Sequence, residues 1–138
     1  MMGAREMLEE VSKLDYKVKM LTDRIIELEA MLLPGIDYDK IGSMPKGYIH
    51  DNRSNIIYKL SDTKEVLIAK RAELFQKKSN LMRYMTELSK KEYIEVLDRR
   101  YFNQQKWEVI AEEMHYSHRY IFRLCDLAIS ELDNIIGH

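Results

Sequence analysis

Apolar residues between Met7 and Leu32 recur at steps that alternate between four and three. This spacing places them along one side of a helix, as at the a and d positions of a heptad repeat. The residues between them are largely charged and keep the rest of the helix solvated. The pattern predicts a helix from Ala4 to Leu33, which at about 1.5 Å per residue is roughly 45 Å long and needs a second long helix to pack against. The seam consists of Met7, Val11, Leu14, Val18, Leu21, Ile25, Leu28 and Leu32.

A second long helix is predicted from about Asn55 to Leu88, because leucines follow one another there at intervals of seven residues. The other half of this seam is mixed, and we expect neighbouring apolar residues to broaden it. Two arrangements fit: an antiparallel hairpin with the first helix, or a coiled coil shared between protomers. We favour a hairpin that also self-associates, which makes a homo-oligomer the expected state. The leucines are Leu60, Leu67, Leu74, Leu81 and Leu88, and the broadening residues are Val66, Phe75, Met82 and Met85.

The segment between the two helices is predicted to be a long loop, residues 34–52. Pro34 and Gly35 end the first helix, and the segment contains further Gly and Pro without an apolar period. Its apolar residues would pin it to the helices or to a partner. His50 has no companion with metal-ligand spacing and is interpreted as a surface residue. The pinning residues would be Tyr38, Met44, Tyr48 and Ile49.

Three short helices are predicted for the last third of the chain: about Lys90 to Phe102, about Gln105 to Met114 and about His118 to Ile136. Ser89 and Glu92 have the spacing of a capping box, which would start the first of them. The predicted fold is therefore all-α, with a helical hairpin and oligomerisation segment over residues 1–88 and a separate C-terminal domain over residues 89–138.

The last two of these helices have the pattern of a helix-turn-helix. Apolar residues of both helices fall on one side, with Ala111 small enough for a close helix crossing and Tyr116 filling the turn. Ser117 is placed to cap the second helix, whose first turn would then face outward. In a major groove, that first turn meets the base edges. The predicted inward residues are Trp107, Ile110, Ala111 and Met114, followed by Ile121, Leu124, Ala128 and Leu132.

These residues, together with Leu97-Asp98-Arg99-Arg100-Tyr101, resemble the promoter-reading fourth region of bacterial sigma factors. The chain is most similar to the sigma-region-four-like regulators of the ArpU and RinA type encoded by phages of Gram-positive bacteria. The long helices and the loop with Tyr38-Asp39 and Met44-Pro45 extend the resemblance over nearly the whole chain. The resemblance implies a phage or prophage transcription regulator that binds double-stranded DNA and contacts host RNA polymerase.

The resemblance also implies roles for individual residues. His118, Arg119, Phe122 and Arg123 occupy positions at which sigma factors contact bases, and Lys106 occupies a phosphate-contacting position. His118 and Phe122 replace arginines of sigma factors, which puts a sigma-like target sequence in doubt. By their own chemistry, Arg119 and Arg123 lie one helical turn apart and can each bind a guanine through two hydrogen bonds, while Phe122 can touch a thymine methyl. The full predicted DNA-binding set is Lys106, Ser117, His118, Arg119, Tyr120, Phe122 and Arg123.

The charge of the chain argues against strong nonspecific DNA binding. The net charge is −1, and from Glu92 onward five basic residues stand against nine acids. One copy should therefore hold phosphates weakly, and usable affinity would require two or more copies on one DNA. Between Lys64 and Lys91 eight basic residues stand against three acids. That stretch fits a surface near DNA phosphates and a solvated helix face equally well.

Other kinds of chemistry find little support in the sequence. A glycine-rich phosphate loop is lacking, and Cys125 lies among apolar residues that suit a packed thiol better than a nucleophile. His115 and His118 lack a second ligand pair for zinc. We therefore expect no enzyme activity, no cofactor and no metal. The single cysteine, the lack of about 18 consecutive apolar residues and the acidic start of the chain predict a cytoplasmic protein without a membrane partner.

Two functions from different classes remain at this point. The first is a sequence-specific transcription regulator. The second is a phage structural protein, such as a DNA-recognition subunit for packaging, in which the long helices build a ring. A dimer that changes transcript levels would favour the first, and a ring of eight or more copies without a change in transcripts would favour the second.

Overall fold

The computed structural model describes residues 2–33 and 46–137, and residues 46–52 by their backbone alone. Within these ranges the chain forms helices and no strands, which confirms the all-α prediction and the long N-terminal helix pair. The α-helices are α1 (Ala4–Met31), α2 (Lys46–Met85), α3 (Lys91–Leu97), α4 (Trp107–Met114) and α5 (His118–Ile136), with a π-helical turn (Asp98–Phe102) directly after α3.

The prediction of a loop over residues 34–52 was wrong for its last part, since α2 begins at Lys46 and not near Asn55. Extending a helix that has already formed requires fixing only one residue per new hydrogen bond. The apolar period is therefore not needed in every turn of a long helix. The rest of the predicted loop, with Tyr38 and Met44, lies outside the described residues, as do the side chains of Tyr48, Ile49 and His50.

The chain forms two compact units. Unit 1 comprises Met1–Asp15 and Glu73–His138, and unit 2 comprises Tyr16–Ala72. These bounds differ from the predicted segments 1–88 and 89–138. The reason is that the first turns of α1 and the last turns of α2 share one hydrophobic core with the C-terminal helices, including Leu8, Val11 and Leu81 beside Ile121 and Leu132.

In both units, segments of α1 and α2 contribute to the buried seam that the heptad spacing predicts. Val11 and Leu81 are buried in unit 1, and Ile25, Leu28 and Leu67 in unit 2. Ion pairs join the two helices: Glu10 with Lys77 in unit 1, and Glu29 with Lys64 at 3.4 Å in unit 2. Within unit 2, Arg53 also donates to Leu32 O at 3.5 Å, so the contacts on α2 move back from Lys64 to Arg53 as those on α1 move forward from Glu29 to Leu32, and the two helices are antiparallel there.

The predicted broadening of the α2 seam was wrong for three of its four residues. Met85 is buried, but Val66, Phe75 and Met82 have 46%, 75% and 51% of their surface exposed. In a helix, successive residues are about 100° apart, so these side chains point away from the leucines that α2 buries. Among the described residues, none covers the exposed side of the Phe75 ring.

The predicted capping box at Ser89 was also wrong. The residue that caps α3 is Lys90, which has extended backbone angles and makes no side-chain capping bond. Ser89 instead donates its backbone N–H and its hydroxyl to the Glu131 carboxylate of α5, the hydroxyl at 2.8 Å. Ser89 therefore fixes the end of α2 to α5 and does not start α3.

Candidate nucleic-acid interface

The turn between α4 and α5 is held by backbone geometry of the kind that ends many helices. His115 has left-handed angles (φ 61°, ψ 41°), and its N–H donates to Glu112 O at 3.2 Å. The Tyr116 N–H donates to Ala111 O at 2.9 Å. These two bonds form a Schellman motif, in which glycine is the usual left-handed residue. The motif satisfies the last carbonyls of α4 and sets the direction in which the chain enters α5.

Ser117 caps α5, as predicted. It has extended backbone angles, and its Oγ accepts a hydrogen bond of 3.1 Å from the Tyr120 N–H. The Tyr116 and Tyr120 rings pack with their centroids 4.5 Å apart. Capping satisfies one of the free donors in the first turn of a helix. The turn and the start of α5 are thus held by one backbone motif, one cap and one aromatic pair.

α5 separates an apolar side from an exposed side. Ile121, Leu124, Ala128 and Leu132 are buried, as predicted from the spacing. On α4, Ile110 and Ala111 are buried and Trp107 and Met114 pack against the same core, also as predicted. At 100° per residue, five of the exposed side chains in the first turns of α5 fall within an arc of about 140°. We call this set the outer face of α5: His118, Arg119, Phe122, Arg123 and Asp126.

Phe122 lies on the outer face but is not fully solvated. It is 45% exposed, and its ring packs against Trp107, the first residue of α4, with the centroids 4.8 Å apart. Two interpretations of this residue were open, a buried aromatic and an aromatic available for contact. The structure supports a half-covered ring whose remaining surface faces outward, held in place by Trp107.

Lys106 is exposed and directly precedes α4 with extended backbone angles (φ −69°, ψ 148°). Its position is the N-cap, so the free N–H groups of the first turn of α4 point toward the same end of the helix. Lys106 directly precedes Trp107, whose ring packs against Phe122 on the outer face of α5. Lys106 is therefore close in the chain to a residue that contacts that face. The seven predicted residues therefore lie on the α4–α5 segment and its entry, and Ser117, His118, Arg119 and Tyr120 form one continuous exposed run.

The π-helical turn gives its two arginines different surroundings. Arg99 binds Glu95 at 3.1 Å, Gln105 Oε1 at 3.2 Å and the Glu113 carboxylate. Its N–H donors are therefore used in contacts within the fold. Desolvation lowers the pKa of Arg99, but the hydrogen bonds to Glu95 and Glu113 outweigh it and raise that pKa. Arg100 donates to Gln105 O at 3.0 Å and lies over the Trp107 ring, 4.4 Å from its centroid.

Arg100 takes part in a pocket that the sequence did not reveal. This pocket is open, measures about 410 Å³ and lies between the first turns of α1 and the entry to α4. We call it the basic pocket, because three of the residues that line it are cationic and one is acidic. The charged residues are Arg5, Lys13, Arg100 and Glu9, and Gln104 and Trp107 are also in the lining.

Four hydrogen bonds between distant residues form this arrangement. Arg5 Nη2 lies 3.0 Å from Asp126 Oδ1 on α5. The Gln104 amide donates to Ser12 O at 3.2 Å and to Asp15 Oδ2 at 2.8 Å. The Ala4 N–H at the start of α1 donates to Asp133 Oδ1 at 2.6 Å. Partners separated by about ninety residues or more leave no local pattern, so sequence reasoning missed Arg5 and Lys13.

Arg5 is positively charged in this setting. Desolvation lowers the pKa of its guanidinium, but the hydrogen bond and the charge of Asp126 outweigh that effect and raise the pKa above its ordinary value. Its side chain is 52% exposed, so the donors that do not face Asp126 are accessible to a ligand.

Cys125 is a packed thiol in the core. It is 2% exposed, and burial raises its pKa to about 11. Burial and the neighbouring Cys125 raise the pKa of Tyr101 to about 12. At neutral pH the thiolate that a nucleophile needs is therefore scarce. Among the residues that the structure describes, no group of three or more His, Cys, Asp or Glu is arranged to hold a metal ion, and no helix is long and apolar enough to span a membrane.

Comparison with known proteins shows a family to which the chain is similar. The model of a family described as "Protein of unknown function (DUF1492)" matches residues 39–133, which is more than half of the chain, includes all of α2 and ends three residues before the end of α5. No curated protein and no solved structure matches the chain.

Proposed function

The chain belongs to the DUF1492 family, and we propose that it is a sequence-specific double-stranded DNA-binding protein that regulates transcription. The observation that carries the proposal is the outer face of α5. Two arginines one turn apart flank a half-exposed phenylalanine there, directly after a capped helix start and a rigid turn.

The position of these side chains suits readout in the major groove. An α-helix fits that groove, and residues of its first turns reach the base edges. Arg119 and Arg123 belong to the first two turns of α5, and none of the ion pairs found among the described residues uses either of them. In this proposal each arginine donates two hydrogen bonds to a guanine, and His118 contributes a further contact in the first turn.

Phe122 and Lys106 have different roles in the proposal. The Phe122 ring, backed by Trp107, contacts a thymine methyl through its outward side. Lys106, at the entry of α4, binds a backbone phosphate and so fixes the register of the protein on the duplex. Ser117 and Tyr120 hold the start of α5 through the capping bond. In this proposal both residues lie beside the groove.

Several acids that opposed DNA binding in the sequence count are engaged within the fold. Glu95 and Glu113 bind Arg99, Glu131 binds Ser89 and Asp133 binds the start of α1. None of these four is among the five residues of the outer face, although Asp133 lies within the same arc two turns beyond Asp126, which is itself an acid of that face. Their charge still acts at a distance, so binding by one copy stays weak and the proposal includes self-association of the chain.

Exposed apolar residues on α2 support self-association. In unit 1, Phe75 and Met82 are seven residues apart and are 75% and 51% exposed, and in unit 2 Ile68 is 69% exposed. Large apolar side chains that repeat with a heptad period are typical of helices that pair with another helix. A homo-oligomer would cover them and would bring two or more copies of α5 to one DNA. A contact with RNA polymerase is implied by the resemblance to sigma factors alone.

Selection from a random pool of duplexes by the full chain tests the proposal. We expect a short motif to be enriched, and the Arg119→Ala and Arg123→Ala variants to lose preference at individual positions of it. Arg24→Ala, an exposed arginine of α1 paired with Glu27, is the matched control and should return the wild-type motif. A pool that stays random after selection by the folded wild-type protein would contradict sequence-specific binding.

A further inference from the structure

The basic pocket extends the outer face of α5 onto α1. Asp126 lies on the outer face, one turn after Phe122 and Arg123, and it binds Arg5 of the pocket at 3.0 Å. At the other side of the pocket, Arg100 lies over the Trp107 ring, and Trp107 packs against Phe122. The pocket therefore meets the outer face through two separate sets of contacts.

The chemistry of the pocket suits a phosphate. Arginine offers a planar fork of donors and lysine a point charge, the two ways in which proteins bind phosphate oxygens. Arg5, Lys13 and Arg100 supply three positive charges to the lining, against the carboxylate of Glu9 in the lining and that of Asp126, which pairs with Arg5, and the pocket is open to solvent. Because the pocket is open, a phosphate that is part of a long polymer can enter it while the rest of the polymer stays outside.

We propose that the basic pocket binds a backbone phosphate of the duplex beside the site read by α5, so that the first turns of α1 are part of the DNA-binding surface. This inference rests on the proposed function, because the phosphate belongs to the same duplex that α5 reads. The occupant is a DNA phosphate and not a free small anion, because the pocket continues directly into the outer face of α5.

The arrangement brings two cations to the acidic C-terminal helices locally, although residues 1–15 as a whole carry four acids, Glu6, Glu9, Glu10 and Asp15, against Arg5 and Lys13. From Glu92 onward acids outnumber basic residues nine to five, but Arg5 and Lys13 come from the other end of the sequence. They add positive charge where the terminal helices lack it. A DNA-binding segment defined as residues 89–138 would therefore lack part of its own phosphate contacts.

Binding measured against salt concentration tests the inference on the full chain. The probes are a labelled duplex carrying the selected motif and a scrambled duplex of the same length. The variants are Lys13→Ala and Arg5→Ala, with Lys19→Ala as the matched control because Lys19 is an exposed lysine of the same helix outside the pocket lining. Circular dichroism checks that each variant is folded.

The double variant Arg5→Ala/Lys13→Ala removes two positive charges of the pocket. We expect its plot of log K against log salt to be less steep by about 0.9 for each bound protomer, which corresponds to the loss of one phosphate contact. Near 0.1 M salt this corresponds to a loss of affinity of roughly five- to tenfold, equal for the two duplexes, because a phosphate contact carries no sequence information. Glu9→Gln should have the opposite effect and tighten binding to both duplexes, which a merely structural role for this surface would not produce.

The outcomes separate the inference from the proposed function. If the wild-type protein binds the motif and Arg119→Ala abolishes the preference, but the pocket variants leave slope and affinity at the Lys19→Ala values, the inference is wrong and the proposed function stands. If the folded wild-type protein binds neither duplex, both are wrong. If the protein binds inorganic phosphate and the duplex does not displace it, the pocket binds a free anion and not DNA. This result would also overturn the inference.

Discussion

The buried pair Tyr101 and Cys125 makes the stability of unit 1 depend on pH in the alkaline range. Burial raises the pKa of Cys125 from 9.0 to about 11 and that of Tyr101 from 10.0 to about 12. In both cases the folded state favours the neutral form. The stability from each group is therefore fully present below the unfolded pKa and is lost as the pH rises through the folded pKa.

The size of the effect follows from the shifts. One pKa unit corresponds to about 1.36 kcal/mol, so each group alone would withdraw about 2 to 3 kcal/mol of unfolding free energy between pH 9 and pH 12. The two groups are neighbours, so their losses need not add. Urea unfolding at a fixed protein concentration, repeated from pH 7 to pH 11, measures this dependence.

Cys125→Ala provides the comparison within the same experiment. The variant should be less stable at pH 7, because it loses buried contacts, but its stability should fall less between pH 9 and pH 11 than that of the wild type. Contributions from groups that the two proteins share cancel in the difference. Parallel curves for the two proteins over this range would refute the reasoning and would place the thiol in contact with water.

Three further predictions concern the turn, the cap and the surface of α2. Ser117→Ala should lower the unfolding free energy by about 1 kcal/mol in urea unfolding, because the Tyr120 N–H loses its acceptor; an unchanged midpoint would show that the cap is not formed in solution. His115→Gly should raise the unfolding free energy by about 0.5 to 1 kcal/mol, and the thermal midpoint with it, because glycine adopts the left-handed angles at less cost. A lower midpoint would mean that contacts of the His115 side chain outweigh its backbone strain. Light scattering at micromolar concentration should report an oligomer that Phe75→Glu weakens, because a charge there opposes burial of the exposed α2 surface; a wild-type monomer would contradict self-association.

Periodic patterns predicted the helices well because they depend on residues close together in the chain. The inward residues of α5 and Ile110 and Ala111 of α4 are confirmed by their burial. Of the predicted α1 seam, Val11, Leu14, Ile25 and Leu28 are buried and the other four residues are partly buried. The cap at Ser117 is also local, since its acceptor and its donor are three residues apart. In such cases the partner of a side chain is fixed by the helix itself.

Tertiary contacts overrode the local signals elsewhere. Ser89 and Glu92 have the spacing of a capping box, yet Ser89 binds Glu131, 42 residues away. Phe75 is close in sequence to a buried leucine seam, yet it is exposed. Burial depends on what a neighbouring element covers, and the identity of that element is not contained in the period of a single helix.

The part of the candidate site on α5 was predictable from the sequence, and the basic pocket beside it was not. The exposed run from Ser117 to Tyr120 follows from the cap and the helix period. Arg5 reaches the site through Asp126, which is 121 residues away, and Gln104 reaches α1 across 89 residues or more. No alternation or spacing signals such pairs, and so the basic pocket is visible only in the folded chain.

The most direct test of the central claim is the affinity of the Arg119→Ala and Arg123→Ala variants for duplexes that differ from the selected motif at one base pair. If α5 reads bases, each variant should lose about 1 to 3 kcal/mol on the motif and should tolerate changes at particular positions that the wild type rejects. Lys106→Ala should instead weaken all duplexes alike and lower the salt slope by about one unit. Ile121→Ala, which removes a fully buried side chain, should cost about 2 to 5 kcal/mol of folding stability and separates loss of fold from loss of readout. If both arginine variants stay folded and keep the affinity and the base preference of the wild type, α5 does not read DNA and the account is contradicted.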